Sequence, residues 1–191
     1  MTMRHRLCLA STSPRRREIL ENLGLEFSVQ RVEIDESERV GETPLELVLR
    51  LAADKAAAAD MRQATCVVAA DTVVVLDAEV LGKPRNAEEA IDMLIRLSGR
   101  RHTVLTGVAV RSDEIIRVAH SATEVVFREI DRDEALRYWQ SGEPCDKAGA
   151  YGIQGLGGQF VEAIHGSYSG VVGLPVFETA RLLKQAGIDL L

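Results

Sequence analysis

Four cations and two carboxylates stand out by type and position: Arg15, Arg16, Lys55 and Lys83, with Glu36 and Asp71. The cations suit a polyphosphate chain, whose oxygens accept charge-assisted hydrogen bonds from guanidinium forks and ammonium groups. The carboxylates suit a divalent ion that bridges phosphate oxygens, or a base that polarises an attacking water. The chain carries no GxxxxGK[ST] loop, no GxGxxG after a strand at a helix start, and no serine or cysteine elbow. An activated water is therefore the expected nucleophile.

The arginines occupy an unusual place. Leu7-Cys8-Leu9-Ala10 reads as a buried strand, two hydroxyl residues follow, and Ser13-Pro14 is a helix start. Serine can cap free backbone N–H groups, and proline suits the first helical position. Ile19, Leu20 and Leu23 supply an apolar face, and Gly24 a natural stop. Arg15, Arg16 and Arg17 thus crowd a first turn where the helix dipole favours Asp or Glu. An anion among them relieves the repulsion, and free N–H groups, hydroxyls and guanidinium forks together form a phosphate receptor. A solvated basic turn is the alternative. Arg17 is the one expected at the surface.

The elements around the other charged residues can be read in turn. Glu26 to Val32 alternates like a strand, and Glu33 to Glu38 is an acidic loop. Thr43-Pro44-Leu45-Glu46 is a capping box with proline at the first helical position. Leu45, Val48, Leu49, Ala52, Ala53 and Ala56 recur at helical spacing, which predicts a helix to about Met61. Lys55 falls on the border of that stripe, where it either leans inward or snorkels to water. Cys66 to Ala70 is an apolar run typical of a strand covered on both faces, and Val73 to Leu76 is apolar again. Asp71, between the two runs, must be paired, hydrogen-bonded or on a metal. It is either a structural salt-bridge partner or a catalytic or metal-binding aspartate at a strand end.

Leu81 to Pro84 reads as a tight turn presenting Lys83, and Asn86 with Glu89 opens a helix that buries Ile91, Leu94 and Leu97. His102 to Val110 and Ile115 to Phe127 form a hairpin around Arg111-Ser112-Asp113, and Asp131 with Glu134 caps a helix ending at Gly142. Five glycines between Gly149 and Gly158 allow close approach of a ligand to backbone. Tyr151, Ile153, Gln154 and Leu156 are poor linker residues, so the segment reads as a shaped loop rather than a spacer. Gln154 can donate to and accept from a base edge. A strand from Gln159 to Ile164, a turn over Gly166 to Gly170, a strand at Val171-Val172 and a helix from Pro175 through Leu183 complete the reading.

With 191 residues, 46% of them hydrophobic, the chain suits one domain with a full core, two small lobes being the alternative. Aromatic residues make up 4%, so the core is expected to be mostly Val, Leu, Ile and Ala. The net charge of −6 argues against sequence-independent nucleic-acid binding but permits a local basic pocket. Cys8, Cys66 and Cys145 lack metal-ligand spacing, as do His5, His102, His120 and His165. No disulfides and a reducing compartment are expected. The apolar run after Met1 to Arg6 is too short for a signal peptide, and no stretch is long enough to span a membrane, so a cytoplasmic location is expected.

Ser11-Thr12-Ser13-Pro14-Arg15-Arg16, Ala70-Asp71-Thr72, Gly82-Lys83-Pro84, the Asp146-to-Gly155 loop and Gly166-Ser167-Tyr168 with Val171 to Pro175 together resemble the Maf family of nucleoside triphosphate pyrophosphatases. The resemblance covers nearly the whole chain, so residues 1–191 are expected to form one Maf-like domain. It implies an α/β fold like that of inosine triphosphatase, with two lobes around a long curved mixed sheet and a central cleft. The implied activity is hydrolysis of a nucleoside triphosphate to monophosphate and pyrophosphate with Mg2+ or Mn2+, in a homodimer. Asp71 matches the family's catalytic position, and Ser11, Arg15, Arg16, Lys55 and Lys83 match its phosphate-binding positions. Glu36 matches the metal-side carboxylate that works with Asp71, although Glu33, Asp35 and Glu38 share its loop. Arg15, Thr72 and Gln154 match positions tied to base choice, and the run Lys147 to Gly155 looks like the branch acting on dTTP and UTP. The sister branch acting on 7-methyl-GTP, and a nucleotide-binding regulator of cell division, are the alternatives.

Overall fold

The computed structural model describes residues 6–62 and 64–190, so the expectations for His5 and the first residues lie outside the described residues. In chain order the elements are β1 (Leu7–Leu9), α1 (Pro14–Asn22), β2 (Phe27–Val29), α2 (Pro44–Ala58) and β3 (Cys66–Leu76). Next come β4 (Glu79–Leu81), α3 (Ala87–Leu97), β5 (Arg101–Ser112), β6 (Ile115–Phe127) and α4 (Arg132–Gln140). The last are β7 (Val161–His165), α5 (Tyr168–Val172) and α6 (Val176–Gln185). Among the described residues the strands form one seven-stranded sheet in the order β2-β1-β3-β5-β6-β7, with β4 on β3. β1 runs parallel to β2 and β3, whereas β4 and β7 are antiparallel to β3 and β6. The sheet is mixed and the class is α/β, as the resemblance implies.

The chain divides into two compact units. The first comprises Met1–Asp71, Thr106–Ser121 and Gly173–Leu191. One cluster of its core is built from small side chains, Cys8, Ala10, Ala52, Ala56, Val67, Ala69 and Ala109, beside larger buried residues such as Leu9, Leu20 and Leu183. Small side chains let backbones approach closely. A Cβ at Gly107 of β5 would run into the Val48 carbonyl of α2. The second unit comprises Thr72–Leu105 and Ala122–Val172. Its core is mostly Val, Leu, Ile and Ala, as expected, with Phe127, Tyr138, Tyr151 and Phe160 packing together among Leu94 and Leu97.

The helix starts follow their caps. Thr43 and Glu46 form the reciprocal capping box of α2. Asn86 caps α3 and Asp131 caps α4, each accepting the N–H three residues on. Ser13 holds the cap position of α1 but makes no side-chain cap bond; its N–H donates instead to Ser11 Oγ at 3.2 Å. α2 stops at Ala58 rather than near Met61, and it buries Leu47 and Leu51 where Leu45 and Leu49 were expected. β2 spans only Phe27–Val29 of the stretch Glu26 to Val32, and β7 begins at Val161 rather than Gln159.

Two corrections bear on function. Asp71 does not end a strand: β3 continues unbroken from Cys66 to Leu76, with Asp71 in its middle. The hairpin to β4 closes beyond it at Asp77 and Ala78, both at positive φ. Val171 and Val172 are not a strand but the end of the single turn α5. The Ser167 carbonyl accepts the Val171 N–H and the Ser167 hydroxyl accepts the Gly170 N–H, closing that turn despite two β-branched residues.

Candidate active site

The first unit assembles Lys55, Glu36, Asp71, Arg16 and Ser11. α2 carries Lys55 in its last turn, where a cation complements the helix dipole. Lys55 Nζ lies 2.6 Å from Asp71 Oδ1 and 2.7 Å from Glu36 Oε1. The Lys55 and Asp71 side chains are 11% and 13% exposed, against 57% for Glu36. The aspartate is thus a buried, paired carboxylate, and the glutamate is the solvent-facing side of the same ion cluster. The choice between leaning inward and snorkelling is resolved: Lys55 leans inward.

The arginine turn meets this cluster. Arg16 Nε donates to the Gly173 carbonyl at 2.8 Å, and its Nη1 to Ser11 Oγ at 3.3 Å. Burial lowers the Arg16 pKa, the Asp71 and Glu36 carboxylates oppose that shift, and the neighbouring Arg15 adds to it. These four charges therefore share one electrostatic field. Arg17 pairs with Glu21 on the surface, as expected. The bland basic turn is excluded for Arg16, which is engaged on both edges of its guanidinium.

The acidic loop is held by a residue that no motif singles out. Arg50 of α2 donates to Glu42 through Nε at 2.5 Å and Nη2 at 2.7 Å, and to the Ser37 carbonyl at 3.0 Å. This fork holds the Glu42 pKa down to about 2. It fixes the backbone next to Glu36 on the helix that carries Lys55. Among Glu36's rivals, Asp35 is occupied by the N–H and hydroxyl of Ser37, and Glu33 pairs with Arg31.

Two carboxylates converging on one ammonium show that the site holds a positive charge between hard oxygen ligands. Among the described residues no group of three His, Cys, Asp or Glu forms a ready-made cation cage. Two carboxylates nevertheless fit a magnesium-like ion, which takes most of its remaining ligands from water and substrate phosphates.

Thr72, Lys83 and Gln154 belong to the second unit. Thr72 follows Asp71 in β3. The Gly82-Lys83 turn is tied to the glycine-rich segment by the Gly149 N–H, which donates to the Gly82 carbonyl at 3.0 Å. Lys83 lines a concavity of about 400 Å³ whose walls also carry Glu88, Asp92 and the ion pairs Arg85–Glu89 and Arg96–Glu79. Gln154 lies in the exposed middle of a loop built from short 3-10 turns. The three cysteines are free, with Cys8 and Cys66 buried and Cys145 exposed, and no helix of the described residues is long and apolar enough to cross a membrane.

Comparison with known proteins agrees with these motifs. A family model described as "Maf-like protein" matches residues 6–186. A dTTP/UTP pyrophosphatase of Hahella chejuensis is 51% identical over 191 residues, covering 98% of this chain and 95% of that protein. One from Vibrio vulnificus is 52% identical over 183 residues, covering 95% and 98%. One from Vibrio cholerae is 49% identical, covering 94% and 97%. A solved dITP/XTP pyrophosphatase of Mycobacterium abscessus aligns with a TM-score of 0.42 at 20% identity, over 65% of this chain and 75% of that one.

Proposed function

This chain belongs to the Maf-like protein family, and we propose that it hydrolyses dTTP and UTP to the nucleoside monophosphate and pyrophosphate. The observation that carries the reading is the ammonium of Lys55 set between Asp71 and Glu36, in one field with Arg16. The names of relatives at about half identity over nearly the full chain support the substrate class.

In this reading Ser11, Arg15, Arg16, Lys55 and Lys83 bind the phosphate chain, and Thr72, Arg15 and Gln154 meet the base. Asp71 orients a water and takes its proton as the new bond forms at the α-phosphorus. The bond from that phosphorus to the bridging oxygen breaks, and pyrophosphate leaves with the bridging oxygen. Lys55 holds Asp71 aimed through their 2.6 Å contact, because a buried carboxylate without a partner would be costly. Glu36 and Asp71 would hold the divalent ion. When bound, the ion supplies charge neutralisation on the phosphate oxygens. Residues 1–191 act as one Maf-like domain, in the cytoplasm and as a homodimer.

Incubation with a panel of nucleoside triphosphates and Mg2+ or Mn2+, with product identification, tests the reading. Pyrophosphate and monophosphate from dTTP and UTP are expected. Orthophosphate release, or preference for 7-methyl-GTP, overturns it.

A further inference from the structure

The glycine-rich loop has an internal anchor that no sequence motif announced. The segment from Gly152 to Gly157 leaves the aromatic core at buried Tyr151 and re-enters it at buried Gly157, with Gln154, Gly155 and Leu156 exposed between. Among the described residues no strand pairs with it, so its backbone N–H groups need other acceptors. Two side chains supply them. The Tyr138 hydroxyl accepts the Gly152 N–H at 3.0 Å and donates to Glu143 Oε1 at 2.7 Å. The Glu143 carboxylate accepts the Leu156 N–H at 2.8 Å on Oε2 and the Gly157 N–H at 3.0 Å on Oε1. One phenol and one carboxylate therefore hold the chain two residues before Gln154 and again two and three residues after it.

The glycines fit this contact closely. A Cβ at Gly155 would strike the Glu143 carboxylate, and one at Gly157 would fall 2.8 Å from the Gly152 carbonyl oxygen. At Gly152 it would meet Lys147 Cε at 2.7 Å. Lys147 Nζ in turn donates to the Glu143 carbonyl at 2.6 Å and to Asp146 Oδ1 at 2.8 Å, which fixes the turn that presents Glu143. The loop thus lies directly on Glu143, with no room to slide.

We infer that Glu143 and Tyr138 are positioning residues for base selection, holding the loop so that Gln154 is presented in one place before the nucleotide arrives. The inference rests on the reading that Gln154 meets the base. A preorganised loop spares the nucleotide the ordering cost on binding. Loosening the anchor should therefore weaken recognition of the base while leaving the phosphate chemistry of the first unit intact.

Steady-state kinetics of wild type, Glu143→Gln, Tyr138→Phe and Gln154→Ala on dTTP and dGTP test this, with thermal unfolding as a folding control. Glu143→Gln keeps size but puts an amide NH2 where one backbone N–H needs an acceptor. Losing a hydrogen bond to a charged group predicts a rise of about tenfold in KM for dTTP and a similar fall in the dTTP-to-dGTP ratio of kcat/KM. kcat should stay within about twofold, and Tyr138→Phe should shift the ratio the same way by less. If Gln154→Ala lowers the ratio but neither anchor variant does, the anchor proposal is wrong and the base assignment stands. If the anchor variants lower the ratio and Gln154→Ala does not, the anchor stands and another loop residue reads the base. A loss confined to kcat with an unchanged ratio also overturns the proposal. If Glu143→Gln fails to fold, Tyr138→Phe decides.

Discussion

Lys55 Nζ bridges Asp71 Oδ1 at 2.6 Å and Glu36 Oε1 at 2.7 Å, so a single ammonium joins the middle of β3 to the acidic loop. Each contact is a charge-assisted hydrogen bond. Replacing Lys55 by Met leaves two carboxylates facing one another without their cation. Loss of one such bond is worth about 1.5–3 kcal/mol, so kcat/KM for dTTP should fall by about ten- to a hundredfold or more. Lys55→Arg should not restore it, because a planar fork cannot replace a compact ammonium between two acceptors. Pyrophosphate release measured across dTTP concentrations checks both variants.

His102 gives the second unit a pH-dependent stability. It is buried between the rings of Phe127 and Tyr151, with Nε2 2.8 Å from the Tyr151 hydroxyl. Its Nδ1 has no hydrogen-bond partner among the described residues. Burial lowers its pKa from 6.5 to about 4. The unfolded chain thus takes up this proton at higher pH than the folded one. Stability is full above pH 6.5 and falls as the pH drops toward 4. Between pH 7 and pH 5 the loss is about 2 kcal/mol from this group. Denaturant unfolding at the two pH values should show that difference in wild type and lose it in His102→Gln, whatever the variant's absolute stability.

Gly107 tests the close approach of α2 to β5. An added methyl group meets the Val48 carbonyl, a backbone atom that cannot swing aside. Gly107→Ala should destabilise the protein by about 1–3 kcal/mol. Gly82, whose Cβ would meet nothing within 4 Å, is the control. Gly82→Ala should stay within about 0.5 kcal/mol of wild type. Urea unfolding midpoints distinguish the two.

Local signals in the sequence were those set by nearest neighbours along the chain. Thr43, Asn86 and Asp131 announced their helices because a cap acts on N–H groups two or three residues away. The β5–β6 hairpin was legible from two long strand-like runs around a polar turn. Val171-Val172 was misread because β-branched residues suggest strand, whereas Ser167 closes a helical turn around them. Lys55 could not be decided from its helix alone, since its direction depends on carboxylates 16 residues later and 19 earlier. Arg50 and Glu143 were missed for a related reason. Their partners include backbone groups 13 or more residues distant, and no side-chain pattern marks a backbone acceptor or donor.

In the function we propose, Asp71 takes the proton of the attacking water, and Asp71→Asn tests that role most directly. The amide keeps the size of the side chain and an oxygen for Lys55 but cannot accept that proton at neutral pH. With an unchanged unfolding temperature, pyrophosphate release from saturating dTTP and Mg2+ should fall by about a hundredfold or more. Release within a few-fold of wild type would contradict the account.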